Sequence, residues 1–141
     1  TMQCITRRAG VSKKISSFTL PLGATMNMDG TALFEAVAAV FLAYLFDVPL
    51  GPAGIVLVFL MSMVASIGAP GMPSGSMAGM QLVLLSVGIP LEAIAILLVI
   101  ERPLDTIRTS INVEGDLVGA LVVDELTAEH DSTDQAQLGD R

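Results

Sequence analysis

Six residues in the last third of the chain carry its densest chemistry: Glu101, Asp105, Arg108, Thr109, Asn112 and Asp116. On a helix turning 100° per residue they share an arc of about 100°. Arg108 offers a planar fork suited to a carboxylate, and Asp105, one turn earlier, can accept from an ammonium group. Thr109 and Asn112 can bond a substrate or an ion. Asp116, two turns beyond Arg108, is out of reach of the same small molecule and could join Asn112 on a cation. The alternative is an intrahelical salt-bridge face, Asp105–Arg108 and Arg108–Asn112, on a solvated helix. The stripe follows an apolar run directly, and in lipid it is costly unless it faces protein.

Two further segments could hold ligands. In Pro21–Glu35, PLGATMNMDGTALFE, the poor helix residues Asn27, Asp29 and Gly30 interrupt an apolar stretch. Unwinding around residues 25–30 would free the carbonyls of Gly23, Thr25 and Met28, with Asp29 adding charge and Asn27 a side-chain oxygen. That donor set suits a hard cation such as sodium. The competing reading is a glycine kink with Asp29 capping the next helix. In SIGAPGMPSGS, Ser66–Ser76, Ser74, Gly75 and Ser76 stand where a helix would begin and could present backbone N–H groups to an anion. Equally, that tip could be a flexible turn or a mobile gate.

The elements that must position these residues belong to an unusual chain. It has 141 residues, 52% of them hydrophobic, and only 15% charged, against about 25% for a soluble domain. No Lys or Arg occurs from Ile15 to Glu101, and the acids before Glu101 are Asp29, Glu35, Asp47 and Glu92. A solvated surface cannot be built from that, so the middle of the chain belongs in a lipid bilayer or inside a larger apolar body. A net charge of −7 without a basic face argues against nucleic-acid binding. One cysteine, Cys4, and one histidine, His130, make neither a disulfide nor a zinc framework. No nucleophile is paired with a base, so a soluble enzyme using the Asp105/Arg108 stripe has little support.

The apolar body, 15–117, is cut by Gly and Pro into runs shorter than the roughly 20 residues of a simple span. Ala53–Ile67 and Met77–Val87 flank the charge-free tip, the pattern of a re-entrant hairpin whose irregular tip must line a cavity or lie in protein. The organisation expected is a basic connector at 1–14, a broken transmembrane helix at 15–52 and the re-entrant hairpin at 53–90. A last transmembrane helix at 91–126 and an acidic disordered tail at 127–141 complete it. Arg7, Arg8, Lys13 and Lys14 place the connector in the cytoplasm. Asp47–Pro52 then lies outside, the hairpin enters from outside, and the tail returns to the cytoplasm. The opening TMQCITRRAG is neither an initiator context nor a signal peptide, so the chain reads as the C-terminal part of something longer and is not expected to fold alone.

NMDGT at Asn27–Thr31, between SFTLPLGAT and ALFEAVAAVF, resembles the signature of the sodium-coupled dicarboxylate and amino-acid symporters, the glutamate-transporter family. ASIGAPGMPSG resembles that family's second re-entrant hairpin and DTIRTSINVEGD its last transmembrane helix. The resemblance spans residues 1–120 and implies an all-α, elevator-type membrane transporter, a homotrimer moving its core against a scaffold that precedes this chain. It implies one sodium site at Asn27, Asn112, Asp116 and the Gly23 carbonyl. A second would use the carbonyls of Thr25, Met28, Ser66, Ile67 and Ala69. A third would take Asn27 and Asp29 with ligands from the missing N-terminal portion. The substrate site it implies is Thr31, Asp105, Arg108, Thr109 and Asn112, with backbone near Met72 and Ser76.

Within the family, Arg at the position of Arg108 goes with an acidic side chain, and Asp at that of Asp105 with an amino group. C4-dicarboxylate members typically lack that Asp and neutral amino-acid members that Arg. Symport of glutamate or aspartate in the plasma or inner membrane is therefore expected. The alternatives are a dicarboxylate or neutral amino-acid symporter, or a channel or scaffold on the same frame. Two departures stand out: Pro70 in the hairpin tip, and Glu101-Arg102-Pro103, where Pro103 is expected to kink the last helix.

Overall fold

Helix α2, Lys13–Met26, begins where the Ser12 hydroxyl accepts from the Ile15 amide at 3.3 Å, a cap available only to a short polar side chain. A computed structural model describes residues 1–68 and 75–139, with side chains described through residue 128. Every regular element among these is helical. Helix α1, Met2–Arg8, precedes α2; α3, Asp29–Leu45, follows it; then come α4, Pro52–Gly68, and α5, Gly75–Ser86. A 3-10 turn, Leu91–Ala93, leads into α6, Ile94–Gly139.

The helical path is interrupted between α2 and α3 at Asn27 and Met28 alone, less than the six-residue stretch that composition suggested. The break is tight because caps close both sides. The Asn27 amide donates to the Gly23 carbonyl at 2.7 Å, while the Met28 carbonyl accepts from the amides of Thr31 and Ala32, each at 3.0 Å. Those two carbonyls, expected to be freed by unwinding, are thus engaged in helix ends.

Helices α3 and α5 stop in the same way. Asp47, with φ 54°, and Gly88, with φ 75°, take the left-handed conformation. The Val48 and Ile89 amides then reach back to the carbonyls of Ala43 and Leu84. This closure satisfies end carbonyls that would otherwise be orphaned in an apolar setting.

The main core joins α3 (Ala39, Leu42), α4 (Val58, Ala65), α5 (Met80, Val83, Leu84) and the start of α6 (Leu97). A smaller cluster of Ile5, Val11, Leu20 and Ala120 ties α1 and α2 to α6, and the Ser12 amide donates to Asp124 beside it. Helix α3 packs on α4, α5 and α6 together, which makes it the axle of the assembly. Outside, large apolar side chains stay exposed on every long helix, among them Phe18, Val37, Tyr44, Phe59 and Val99. Lys13–Leu45 is long and apolar enough to cross a membrane by length and composition, while α4 and α5 are shorter apolar helices.

Helix α6 is continuous both through Pro103 and beyond residue 127. Pro103 lies inside α6 without ending it. Its missing N–H is opposite Val99, which is itself exposed. The helix also runs on through Gly139, where a disordered tail is expected at 127–141. Ala, Glu, Gln and Leu within that segment are good helix formers, and they extend an existing helix without a new nucleus.

Candidate functional site

Arg108 is the centre of a buried cluster between α3, α5 and α6, with its side chain 6% exposed. Its Nη1 donates to the Ser76 hydroxyl at 2.5 Å, reaching from α6 to the first turn of α5. Its Nη2 donates to Asp105, one turn back on α6. The guanidinium carbon lies 4.9 Å from the centroid of the Phe34 ring, a cation–π arrangement supplied by α3. Glu101, also buried, stands 3.7 Å from the same nitrogen. Helical periodicity alone accounts for Glu101, Asp105 and Arg108 sharing a face; Ser76 and Phe34 come from other elements.

One turn further along α6, Asn112 serves the start of α3. Its Oδ1 accepts from the Gly30 amide at 2.8 Å and the Thr31 amide at 3.3 Å, and its Nδ2 donates to the Thr31 hydroxyl at 3.2 Å. Met28, at the cap position of α3, has no capping side chain. The orphan donors of α3 are therefore capped in trans by α6. This locks the break in α2–α3 against the charged stripe.

At the next turn Asn27, Asp29 and Asp116 converge. Asn27 Nδ2 lies 3.3 Å from Asp116 Oδ1. With its amide turned over, Asn27 donates to Asp29 at 3.1 Å and accepts from the Asp116 amide at 3.2 Å, which pairs every donor with an acceptor. The group lines an open groove of about 720 Å³ that also includes Gly23, Glu114 and Gly115.

Three glycines permit this approach. A Cβ on Gly23 would collide with the Asp116 carboxylate, and one on Gly115 would come within 2.8 Å of Asn27 and 2.9 Å of Asp29. A Cβ on Gly30 would sit 2.5 Å from the Arg108 carbonyl oxygen, a backbone atom that cannot turn aside. Gly30→Ala is accordingly expected to destabilise the whole protein by about 1–3 kcal/mol through overpacking. A lowered thermal midpoint in detergent is the measurement that checks it.

An interrupted helix capped by a neighbour's asparagine, beside a buried arginine in an apolar helical body, is a particular arrangement. The family model described as the sodium:dicarboxylate symporter family matches residues 1–126. The chain belongs to that family. It is 46% identical over 127 residues to excitatory amino acid transporter 2 of Homo sapiens, covering 90% of this chain and 22% of the relative. It is 46% identical over 123 residues to an excitatory amino acid transporter of Caenorhabditis elegans, covering 87% and 24%. It is 40% identical over 138 residues to excitatory amino acid transporter 4 of Mus musculus, covering 98% and 25%. The chain thus spans about a quarter of the length of the curated relatives it matches. These relatives are transporters, and with the apolar Lys13–Leu45 stretch they make this symporter-family chain part of a membrane protein.

Against this frame the expected site residues separate into groups. Thr31, Ser76, Asp105, Arg108 and Asn112 come together through the contacts described above. Gly23, Asn27, Asp29 and Asp116 gather at the groove. Thr109 is exposed and lies outside the Arg108 cluster. Thr25 is exposed, its hydroxyl donating to the Leu22 carbonyl at 2.9 Å. Ser66 is buried, its hydroxyl donating to Met63, and Ile67 is exposed at the end of α4, which packs on α2. Ala69, Met72 and Pro70 lie outside the described residues.

Two residues of α3 near this site were missed by sequence reasoning. Phe34 reads as one more apolar residue, and nothing in spacing marks it. Glu35 had a signal, a lone acid within the apolar run Ala32–Phe46. It is fully buried, neither carboxyl oxygen has a hydrogen-bond partner among the described residues, and its Oε1 occupies the space a Cβ on Gly79 would need. A buried polar group without a partner is costly. Such an acid in a membrane helix points to function rather than packing.

Proposed function

We propose that this chain is the C-terminal part of the transport core of a sodium-coupled symporter for acidic amino acids. The observation that carries the reading is Arg108, buried, held by Ser76 and Phe34, and paired directly with Asp105. An arginine enclosed in an apolar body needs an anionic partner, and here it has its own neighbour. Glutamate or aspartate brings both charges needed to replace that pairing: a carboxylate for Arg108 and an ammonium for Asp105. A plain dicarboxylate would leave Asp105 without a partner, and a neutral amino acid, once its α-carboxylate is held by Asn112 and backbone near Ser76, has no side-chain carboxylate to offer Arg108. The names of the relatives, all excitatory amino acid transporters, point the same way.

Sodium is read as co-transported cargo. Asn27, Asn112 and Asp116, with the Gly23 carbonyl, supply one carboxylate and neutral oxygens to one site. Asp29, exposed in the open groove, takes remaining ligands for a further site from the N-terminal portion of the whole protein. The carbonyls of Thr25, Met28, Ser66, Ile67 and Ala69 form the site closed by the hairpin. The Met28 carbonyl, which already accepts two hydrogen bonds, must give up one to take part.

Coupling follows from geometry. Asn112 bonds both the start of α3 and, by this reading, substrate or sodium, so the two ligands share one structural element. A ligand bridging α5 or the α4–α5 tip to the α2–α3 break favours the closed state by its differential affinity. The α4–α5 pair acts as a re-entrant gate opening outward, and the core moves as an elevator within a homotrimer. The protein lies in the plasma or inner membrane with its C-terminal end in the cytoplasm.

The test is uptake by the whole protein in proteoliposomes. Labelled aspartate or glutamate is expected to accumulate when sodium is higher outside, and collapsing the gradient is expected to stop it. Accumulation that ignores sodium would overturn the reading. Conductance without accumulation would favour a channel on the same frame.

A further inference from the structure

Glu101 has no role in the transport reading above, yet among the described residues it is the most enclosed carboxylate of α6. Its side chain is 4% exposed, and its Oε1 has no hydrogen-bond partner among the described residues. It stands between two guanidinium groups. Oε1 lies 3.7 Å from Nη2 of Arg108, and Oε2 lies 3.8 Å from Nε of Arg102, which is 77% exposed. Both distances are within ion-pair reach and too long for a hydrogen bond. Buried carboxylates ordinarily collect hydrogen bonds; among the described residues the contacts of this one are the two ion pairs.

Asp105 is the hydrogen-bonded counter-ion of Arg108, and Glu101 stands behind it on the same helix face. Substrate binding, on the acidic-amino-acid reading on which this inference rests, draws Asp105 away to the incoming ammonium. Arg108 then exchanges a neighbour for the substrate carboxylate. Throughout that exchange one carboxylate stays fixed beside the guanidinium. We propose that Glu101 is a positioning residue: a permanent counter-ion that holds Arg108 in place while Asp105 and the substrate exchange partners.

The role has a defined consequence. Without the Glu101 charge, Asp105 is the only carboxylate within 4 Å of Arg108 among the described residues, the Asp105–Arg108 pair tightens, and substrate must break a stronger contact to enter. Binding suffers, while the later movement of the loaded core does not.

The whole protein in proteoliposomes, driven by a sodium gradient, provides the test. Glu101→Gln is expected to raise the KM for aspartate about tenfold, equivalent to the loss of one modest charge interaction. Turnover per transporter at saturating aspartate is expected to stay within about threefold of the parent. Glu101→Asp keeps the charge on a shorter arm and is expected to recover most of the lost affinity. An unchanged KM in Glu101→Gln overturns the role. So does an equal loss in both variants, or failure of both to reach the membrane folded, since each marks a packing residue. Should only Glu101→Gln fail to fold, Glu101→Ala takes its place: a raised KM at preserved turnover supports the role, and a parent-like KM overturns it. Absence of sodium-driven aspartate uptake in the parent protein would be read separately, as failure of the acidic-amino-acid reading itself.

Discussion

Replacing Arg108 by cysteine is expected to lower uptake of glutamate and aspartate by two to three orders of magnitude. The cause is twofold. The substrate carboxylate loses its fork, and Asp105 and Glu101 lose the cation that both of them face. Removing one partner from a buried ion pair costs about 3–5 kcal/mol, which is roughly 150- to 5000-fold in an equilibrium constant. Uptake in proteoliposomes at fixed sodium is the measurement, with membrane expression of the variant confirmed alongside. Uptake of acidic substrate at the parent level would remove Arg108 from the site. Because Ser76 and Phe34 meet the guanidinium from other helices, lysine is not a conservative replacement. A point charge cannot keep the fork to Asp105 and Ser76 together with stacking on the ring.

Replacing Asp116 by asparagine is expected to raise the sodium concentration for half-maximal uptake about tenfold or more, with a smaller effect on maximal uptake. The change is nearly isosteric, so Gly23 and Asn27 keep their close packing on it. What is lost is the one carboxylate of that site, beside a monovalent cation. At an effective dielectric near 20, a charge about 4 Å away contributes on the order of 4 kcal/mol before desolvation is subtracted. The net after that subtraction is smaller, which is why tenfold is the expected scale. Sodium titrations at saturating aspartate check it, and an unaltered sodium dependence would take Asp116 out of the ion site. This outcome is independent of the Arg108 result, since Asp116 lies two turns away and touches Asn27 instead.

The four predictions on single residues probe different levels of the molecule. Gly30→Ala tests whether α3 can approach α6 at all, Arg108→Cys the anion site, Asp116→Asn the cation site, and Glu101→Gln the support behind Arg108. A protein that lost all four properties together would be misfolded; a transporter should lose them one at a time.

The stripe on α6 was legible in the sequence because it needs only helical periodicity: Glu101, Asp105, Arg108, Asn112 and Asp116 share a face once the segment is a helix. The break near Asn27 was legible too, since Asn, Asp and Gly are poor residues for an apolar helix interior. Its extent was not. The two-residue break depends on Asn112 arriving from a segment 82 positions from Gly30. A capping partner that distant has no local signature. Thr109 shows the same limit from the other side: it shares the arc of the stripe but falls at its exposed edge, where neighbouring helices leave off.

Composition and charge placement by themselves determined that this is an apolar, helical chain with a few ionisable residues too costly to be idle. Motif order determined its family. Only the tertiary structure decided which of those residues meet. It placed Ser76 and Phe34 on Arg108, put Asn112 at the head of α3, and enclosed both Glu35 oxygens and Glu101 Oε1 without hydrogen-bond partners among the described residues. The physical reason is that a lone acid or an aromatic in an apolar run has the same local sequence whether it faces lipid, core or ligand. Its surroundings are set by helices from elsewhere in the chain, and by glycines such as Gly23, Gly30 and Gly115 that let those helices come close.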